Sequence, residues 1–418
     1  MFKKLPKILL VTLEFPPQIG GVSRYYDGLI KNWRGEIKVL PVDLRWPLWP
    51  HWLPLIWRAG RMVKKNNIEM LWVGQVLPVG YIALWLKRRQ KIPYAVFTHG
   101  MDILVPQKSR WKNYWLKKIL AAADLIVANS QFTRVELIKL GVEDGKLVVA
   151  YPCPTQSYRI SGNSHCEEPD DEAISRLGQR DCLASLAMMD RSSFRTSCSA
   201  SGNEIPVPVR NDKRKIILSV GRLVRRKGVD KVIEIMPRLL KRVSDLKYVI
   251  IGKGPETAAL QTQIADLGLS GSVEILENIS DEGLREWYNK CAVFTLPCCQ
   301  IGADVEGFGL VFLEAALAGK PVVAGNSGGA PEAVRHGYSG FVVDTDAPEE
   351  LYQALLKILT DEAFARRLGV YGRDWVSRNF QWEREAEKLE KAVTGLSFPR
   401  KRESSSAKIK LVSGFPLS

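Results

Sequence analysis

The stretch Glu306-Gly307-Phe308-Gly309-Leu310-Val311-Phe312-Leu313-Glu314 decides how the C-terminal half of the chain is interpreted. An apolar, strand-like run over 292–296 precedes it, and an apolar, helix-like run follows. If the helix begins near Gly309, the amides of its first turn have no intrahelical partner and lie at the positive end of the helix dipole. The stretch therefore predicts an anion site, with Glu306 just before the helix and Glu314 on its second turn.

The composition places this site in a large, basic protein. The 418 residues are enough for two or three domains, and the formal charge of +15, with a pI near 9.4, predicts an anionic partner. Nucleic acid, an acidic lipid surface and a phosphorylated substrate all satisfy that prediction. None of the seven cysteines forms a Cys-x-x-Cys pair, so reduced thiols in a cytoplasmic protein are expected rather than zinc ligands or disulfides.

Two apolar stretches superficially resemble membrane or targeting segments. The run over 8–13 stops at Glu14 without a small-residue cleavage site, so it is interpreted as a buried strand rather than a signal peptide. The uncharged stretch 70–86 is short for a membrane span and contains Gln75 and Pro78, so a buried strand followed by a buried helix explains it better.

Strand-like and helix-like runs alternate through both halves of the chain. In the first half the predicted strands are 7–13, 37–42, 69–73, 94–98, 124–128 and 147–150. In the second half they are 216–220, 248–251, 273–276, 293–296, 321–324 and 340–343. The alternation predicts an α/β protein with two doubly wound, Rossmann-like domains facing across a cleft. Ligands of such domains bind beyond the carboxyl ends of the strands.

Composition also suggests where the domains end. We predict an N-terminal domain at 1–156, an irregular inserted segment at 157–211 and a C-terminal nucleotide-binding domain at 212–371. A C-terminal helix at 372–396 is expected to pack back on the N-terminal domain, and 397–418 is expected to be a disordered tail. The inserted segment has no apolar periodicity and begins near the cleft, where it could hinder closure.

Four glycine-containing motifs occur in order along the second half. They are Gly221-Arg222-Leu223 with Lys227-Gly228, Gly252-x-Gly254, Glu306-x7-Glu314, and Gly325-x-x-Gly328-Gly329-x-Pro331-Glu332. Together they resemble the motifs of glycosyltransferase family 4, a family of retaining enzymes with the GT-B fold. The resemblance covers about 7–155 and 213–395, in a layout similar to lipid-directed members such as phosphatidylinositol mannosyltransferases. It implies transfer of a sugar from a UDP- or GDP-sugar to a lipid-linked or saccharide acceptor, with no resident cofactor.

The resemblance also assigns four residues to catalysis. Arg222 and Lys227 would hold the diphosphate and stabilise the charge that develops as it leaves. Glu306 would hold hydroxyls of the donor sugar, and His99, which follows the strand 94–98, would support the same sugar as a neutral or charged hydrogen-bond donor. A packed or capping histidine is the plainer alternative for His99.

The remaining donor-binding residues belong to glycine-rich loops and to the helix start. Glu314 would bind the nucleotide ribose, although a helix-surface salt bridge is its plainer alternative. The others are Gly20, Gly21, Gly254, Gly307, Phe308, Gly309 and Leu310.

A metal site is not expected from the sequence. Asp344-Thr345-Asp346 is an Asp-x-Asp sequence, but it lies in a different loop from the nucleotide-binding motifs. The basic pair would replace the divalent cation that other glycosyltransferases use, so metal-independent transfer is predicted.

The acceptor side has an unusual composition. Nine of the twelve tryptophans lie in the first 115 residues, interspersed with basic residues. Tryptophan beside lysine or arginine suits the surface of an anionic membrane, which predicts a peripheral enzyme on the inner face of the plasma membrane. A packed core with solvated charges is the alternative. The candidate membrane or acceptor residues are Trp49, Trp52, Arg110, Lys112 and Lys117.

Other classes of protein remain open at this stage. One is a basic membrane- or nucleic-acid-binding protein with a vestigial nucleotide fold, and another is a GT-B nucleotide-sugar epimerase. The chain has no helix-turn-helix, zinc-finger or RNP-type motif, so nucleic acid is not expected as a partner. The donor base, the sugar, the acceptor and the oligomeric state are left open.

Overall fold

A computed structural model describes residues 4–18, 20–42, 53–155, 158 and 215–396. Trp49, Trp52 and the predicted tail lie outside these residues, as does the predicted inserted segment apart from Tyr158.

The N-terminal half forms a parallel sheet of six strands in the order β2-β1-β3-β4-β5-β6. The strands are β1 Ile8–Thr12, β2 Ile37–Pro41, β3 Met70–Val73, β4 Tyr94–Thr98, β5 Leu125–Ala128 and β6 Leu147–Val149. The helices are α1 Gly21–Asn32, α2 Leu53–Asn66, α3 Gly80–Gln90, α4 Met101–Leu104, α5 Arg110–Ala122 and α6 Gln131–Lys139. Strands β1, β3, β4 and β5 are buried along their whole length, as expected for a parallel sheet covered on both faces.

The C-terminal half forms a second parallel sheet in the order β12-β11-β10-β7-β8-β9. Its strands are β7 Lys215–Val220, β8 Leu246–Ile251, β9 Val273–Leu276, β10 Val293–Leu296, β11 Val322–Gly325 and β12 Gly340–Val343. Its helices are α7 Val229–Leu240, α8 Thr257–Asp266, α9 Asp281–Lys290, α10 Leu310–Leu317, α11 Pro348–Thr360 and α12 Glu362–Asn379. Two parallel, doubly wound sheets confirm the predicted fold class.

The hydrophobic core is continuous between the two halves. Successive residues of a strand point to opposite faces, so Leu9 packs in one cluster and Leu10 in the other. The cluster that contains Leu10 also contains the core of the C-terminal sheet, including Phe294 and Phe312. One face of the N-terminal sheet therefore shares its core with the second domain.

The last helix, α13 Trp382–Gly395, joins the two halves. It packs on α1, where the Trp382 ring lies so close to Gly28 that a Cβ on this glycine would overlap it. At the other end of α13, Arg34 Nε donates to Glu390 Oε2 over 2.6 Å. The predicted domain boundary at residue 372 falls inside α12, and the chain crosses to the N-terminal domain only after α12 ends.

No helix among the described residues combines the length and the apolar character needed to cross a membrane.

Candidate active site

Glu306 lies at the centre of a small cluster of charges between the two domains. Its Oε2 lies 2.6 Å from Lys227 Nζ, and Arg226 Nη1 donates to the same oxygen. Lys227 follows β7 through the turn Arg225–Lys227, whereas Glu306 lies in the loop between β10 and α10. The carboxyl ends of two strands of one sheet therefore bring these side chains together.

The two cations determine the protonation state of Glu306. Burial alone would raise the pKa of this carboxyl, but the charges of Lys227 and Arg226 outweigh it and lower the pKa to about 2. Glu306 is therefore an ionised acceptor at neutral pH. Arg226 Nε also lies 2.8 Å from Asp304 Oδ1, so two cations and two carboxylates form the cluster and their formal charges balance.

The helix that begins beside Glu306 is α10. Its N-cap is Gly309, whose φ of 90° is in the left-handed region that favours glycine. Among the described residues, the amides of Gly309, Leu310 and Val311 have no hydrogen-bond partner, as the sequence predicted. The prediction was wrong for the fourth amide, because Phe312 N donates to Gly309 O over 3.0 Å in a tightened first turn.

Phe308 is present at the site only through its backbone. Its ring is buried and packs against Tyr151 and Phe380, with ring centroids 5.3 and 5.7 Å away. The neighbouring Gly307 lies directly against the carbonyl of His99, and a Cβ at this position would overlap that oxygen. The loop before α10 thus contacts the N-terminal domain across the cleft.

Glu314 is buried and is held from both domains. Arg24 Nη1, on α1, donates to its Oε1 over 2.9 Å, and Tyr288 OH, on α9, donates to its Oε2 over 3.0 Å. Arg24 also reaches Asp281 at 2.8 Å. Burial raises the pKa of Glu314, and Arg24 opposes that rise. Glu314 is therefore part of a cross-domain ion pair rather than of a helix-surface salt bridge.

His99 lies at the carboxyl end of β4, within hydrogen-bond distance of two groups. Its Nε2 is 3.2 Å from Gly74 O and 2.9 Å from Tyr26 OH, and Tyr26 OH itself donates to Gly74 O. A carbonyl partner requires the proton on Nε2, which leaves Nδ1 as an acceptor. Burial lowers the pKa of His99 to about 4, so the ring is neutral at physiological pH. In this state Nδ1 can accept a hydrogen bond from a hydroxyl but cannot donate one, whereas the sequence predicted that His99 is a donor.

The predicted glycines differ in their surroundings. Gly20 is the N-cap of α1, and Gly21 is exposed, with open space where a side chain would project. Gly254, in contrast, packs against the backbone of Leu223, where a Cβ would overlap the carbonyl oxygen. Open space over Gly21 is compatible with a ligand, whereas Gly254 is required by the packing of two loops.

Sequence reasoning missed Arg226 and Arg24. It paired Lys227 with Arg222, which is exposed and has no ion-pair partner within the described part of the chain. The run Arg225-Arg226-Lys227 was a signal for Arg226, because it places a third cation directly beside the predicted lysine. Arg24 follows the Gly20-Gly21 pair by only a few residues, but its partners lie in the other half of the chain.

The candidate acceptor surface is formed largely by α5. Arg110, Lys112 and Lys117 are exposed on this helix, between the exposed rings of Trp111 and Tyr114. No described contact links these three side chains to the Glu306 cluster.

Within the described ranges, no group of three or more His, Cys, Asp and Glu side chains is arranged to hold a metal ion.

Comparisons with known proteins agree with this architecture. The family model described as Glycosyltransferase Family 4 matches residues 18–153, and the model described as Glycosyl transferases group 1 matches residues 202–375. The solved structure of HepE from Anabaena in complex with UDP superimposes with a TM-score of 0.68 at 18% identity. It covers 93% of this chain and 100% of that one.

Two relatives match almost from end to end. The GDP-mannose-dependent alpha-(1-6)-phosphatidylinositol monomannoside mannosyltransferase of Mycolicibacterium smegmatis is 29% identical over 415 residues, or 93% of this chain and 98% of its own length. The GDP-mannose-dependent monoacylated alpha-(1-6)-phosphatidylinositol monomannoside mannosyltransferase of Corynebacterium glutamicum is 26% identical over 92% of this chain and 96% of its own.

The fold, the family models and the full-length relatives define the class of protein. The chain belongs to glycosyltransferase family 4 and has the GT-B fold, as the ordered motifs predicted. It is a glycosyltransferase homologous to the GDP-mannose-dependent phosphatidylinositol mannoside mannosyltransferases.

Proposed function

We propose that the protein is a retaining, metal-independent mannosyltransferase that moves mannose from GDP-mannose to a phosphatidylinositol-based glycolipid. The observation that carries the proposal is the ionised Glu306 held by Lys227 and Arg226 at the start of α10, facing the His99 loop. The choice of GDP-mannose and of a lipid acceptor rests on the names of the two full-length relatives. UDP-glucose is the alternative donor, because the neighbour HepE was also solved in complex with UDP-glucose.

Different residues of the candidate site would bind different parts of the donor. The diphosphate would lie between the side chains of Arg222, Arg226 and Lys227 and the unpaired amides of α10, where its charge is neutralised. Glu306, whose described side-chain contacts are all made by Oε2, would accept hydrogen bonds from sugar hydroxyls. Glu314 would accept from the ribose, and Nδ1 of His99 would accept from a hydroxyl on the opposite face of the sugar.

The transfer step exchanges one bond at the anomeric carbon for another. The bond from this carbon to the diphosphate oxygen breaks, and its electron pair stays on the departing diphosphate. The acceptor hydroxyl oxygen then bonds to the same face of the carbon and gives its proton to the departing phosphate oxygen. The cations and helix amides stabilise the charge on that oxygen, a service worth several kcal/mol in other enzymes.

The donor screen is the direct test of this proposal. Purified protein is incubated with radiolabelled GDP-mannose, UDP-glucose or UDP-N-acetylglucosamine and with vesicles that contain phosphatidylinositol and its monomannoside. Transfer of mannose from GDP-mannose to the lipid fraction, with an α linkage at the new bond, is the expected result. Transfer from a UDP-sugar alone would replace the donor assignment, and a β linkage would exclude retention.

Metal independence has its own test. Because the protein supplies the positive charge at the diphosphate, transfer should continue at an unchanged rate after exhaustive dialysis against EDTA. Loss of activity that magnesium or manganese restores would contradict this part of the proposal.

A second proposal concerns the membrane. The rings of Trp57, Trp111 and Tyr114 are 74%, 57% and 55% exposed, which is unusual for large aromatic side chains. Cations lie over two of them, with Arg61 5.3 Å from the Trp57 ring and Lys118 4.8 Å from the Tyr114 ring. Aromatic rings surrounded by basic groups fit the interface of an anionic lipid surface.

Vesicle sedimentation tests this surface. The protein should bind vesicles containing phosphatidylinositol at low salt and dissociate as salt screens the charges. The double variant W111A/Y114A should bind more weakly, whereas V135A, which removes an exposed apolar side chain from α6, should bind like the wild type. Equal binding to neutral vesicles, or no binding at low salt, would contradict the proposal.

A further inference from the structure

The last residue of the motif Gly328-Gly329-x-Pro331-Glu332 reaches out of its own domain. Glu332 Oε2 accepts from the backbone N–H of Gln131, and Oε1 accepts from that of Phe132, both over 2.7 Å. These amides are the first two of helix α6 in the N-terminal domain. A carboxylate of the second domain therefore caps a helix of the first.

This cap is electrostatically favourable and nearly complete. The N-cap residue Ser130 accepts from Thr133 N over 3.1 Å, so Glu332 satisfies two N-terminal amides that the helix itself does not. The carboxylate also lies at the positive end of the helix dipole. Tyr151 OH donates to Glu332 Oε2 over 3.1 Å, which adds a third cross-domain hydrogen bond.

The loop that carries Glu332 is packed on the predicted donor loop. Gly329 N donates to Glu306 O over 2.9 Å. A Cβ on Gly328 would overlap Glu306 O, and a Cβ on Gly329 would overlap Gly307 O. Gly307 in turn lies against the carbonyl of His99. Movement of α6 away from Glu332 would therefore separate the His99 loop from the Glu306 loop.

We propose that Glu332 is a positioning residue that holds the cleft closed, so that His99 and Glu306 face the same sugar. The inference rests on the proposed function for its kinetic consequence but not for the contact itself. Glu332 would act through α6 and would not touch donor or acceptor. Loss of Glu332 should lower kcat, because the chemical step slows when the His99 side of the cleft is misplaced. The nucleotide should still bind, because the second domain holds most of it.

Hydrogen exchange gives the structural readout. The amides of Gln131 and Phe132 are protected only while Glu332 caps them, whereas Thr133 N is capped within its own domain. In the E332A variant the first two amides should exchange much faster, and Thr133 should change less. E332Q retains an acceptor oxygen without the charge and should be intermediate.

Kinetics give the functional readout. E332A should lower kcat on the order of 10- to 100-fold and change the affinity for GDP by less than about threefold. Y151F keeps the ring and loses one hydrogen bond, so its effect should be smaller. Glu350 is a matched control, because its carboxylate also accepts from a backbone amide, that of Asp344 over 2.9 Å, but within one domain. E350Q should match the wild type in both readouts.

The outcomes separate this inference from the proposed function. If E332A exchanges at wild-type rates, or if E350Q loses as much kcat as E332A, the positioning role is wrong. If the two amides lose protection in E332A but the wild type transfers no mannose, the closure contact stands and only the proposed function fails.

Discussion

At the scale of single residues, the Glu306 carboxylate and that of Asp304, which lies 2.8 Å from Arg226 Nε, together balance the cations around them. Lys227 and Arg226 both contact Oε2, so one negative charge is shared between two cations. Lys227 is only 7% exposed, and a buried cation is costly unless it is paired. A diphosphate would compete with these carboxylates for the two cations, which makes the ligand part of the site's electrostatic balance.

Replacing Glu306 by glutamine separates catalysis from binding. The substitution keeps the shape and removes the charge, so transfer should fall on the order of 100- to 1000-fold. GDP should bind at least as tightly as to the wild type, because the cations lose the carboxylate that competes for them. Calorimetry with GDP and steady-state kinetics measure the two effects. E274Q, which alters the half-buried Lys247–Glu274 pair, is the control. An E306Q protein that transfers normally, or that no longer binds GDP, would contradict the assignment.

His99 makes folding stability depend on pH. Its pKa in the folded protein, about 4, lies below the ordinary value of 6.5, so the unfolded chain binds the proton first as pH falls. Its contribution is fully present above pH 6.5 and is lost as pH falls toward 4, a loss of about 2 kcal/mol between pH 7 and pH 5. H99N should therefore lose less stability than the wild type over this interval in urea titrations. Burial also lowers the pKa of His336. This histidine is present in both proteins, so its contribution to stability cancels when the two pH profiles are compared. Parallel pH profiles would refute the prediction.

At the scale of helices and strands, the sequence predicted most of the architecture. All twelve strands lie within two residues of the predicted bounds, because strands buried on both faces are continuous apolar runs. The start of α10 was predicted from a glycine turn before an apolar run. The break between α12 and α13 was not, because amphipathic character continues through it. The two helices differ in the element they pack against, since α12 packs on α10 and α13 packs on α1.

Gly28 lies where α13 packs on α1, and substituting it should weaken the packing of these two helices. Alanine in the middle of a helix is favoured over glycine by about 1 kcal/mol. At this position, however, the added Cβ would overlap the buried ring of Trp382, and overpacking costs about 1–3 kcal/mol. G28A should therefore lower the free energy of unfolding, with a change in Trp382 fluorescence. G145A, which adds a Cβ to open space, should be neutral. A G28A protein more stable than the wild type would show that the ring moves aside freely.

At the scale of the whole molecule, the two domains contact each other through pairs of residues that no local sequence pattern identifies. Arg24 and Glu314 are 290 positions apart, and Gln131 and Glu332 are 201 apart. The sequence identified Glu314 and the motif of Glu332 because each belongs to a local turn or helix start. It could not identify their partners, since pairing across domains depends on how two sheets face each other. The positions of Glu314 and Glu332 could thus be identified from the sequence, and their partners in the other domain could not.

Substitution of Arg24 tests whether its cross-domain ion pair with Glu314 contributes to nucleotide binding. Glu314 is faced by Arg24 from α1, by Asp281 and Tyr288 from α9, and by Tyr158, whose ring meets Tyr288 edge-on with centroids 5.5 Å apart. Burial raises the pKa of Glu314, and Arg24 is the main opposing influence, so R24A should raise this pKa further. A protonated Glu314 is a poorer acceptor for ribose hydroxyls.

The affinity of R24A for GDP should therefore fall more steeply than that of the wild type as pH is lowered from neutral, on the order of threefold to tenfold more. D281N is the matched control, because it removes the exposed partner of Arg24 and leaves the Arg24–Glu314 bond in place. Its pH profile should follow that of the wild type in calorimetric titrations with GDP. If R24A and wild type show the same dependence on pH, Arg24 does not control the charge of Glu314, and the cross-domain pair has no role in nucleotide recognition.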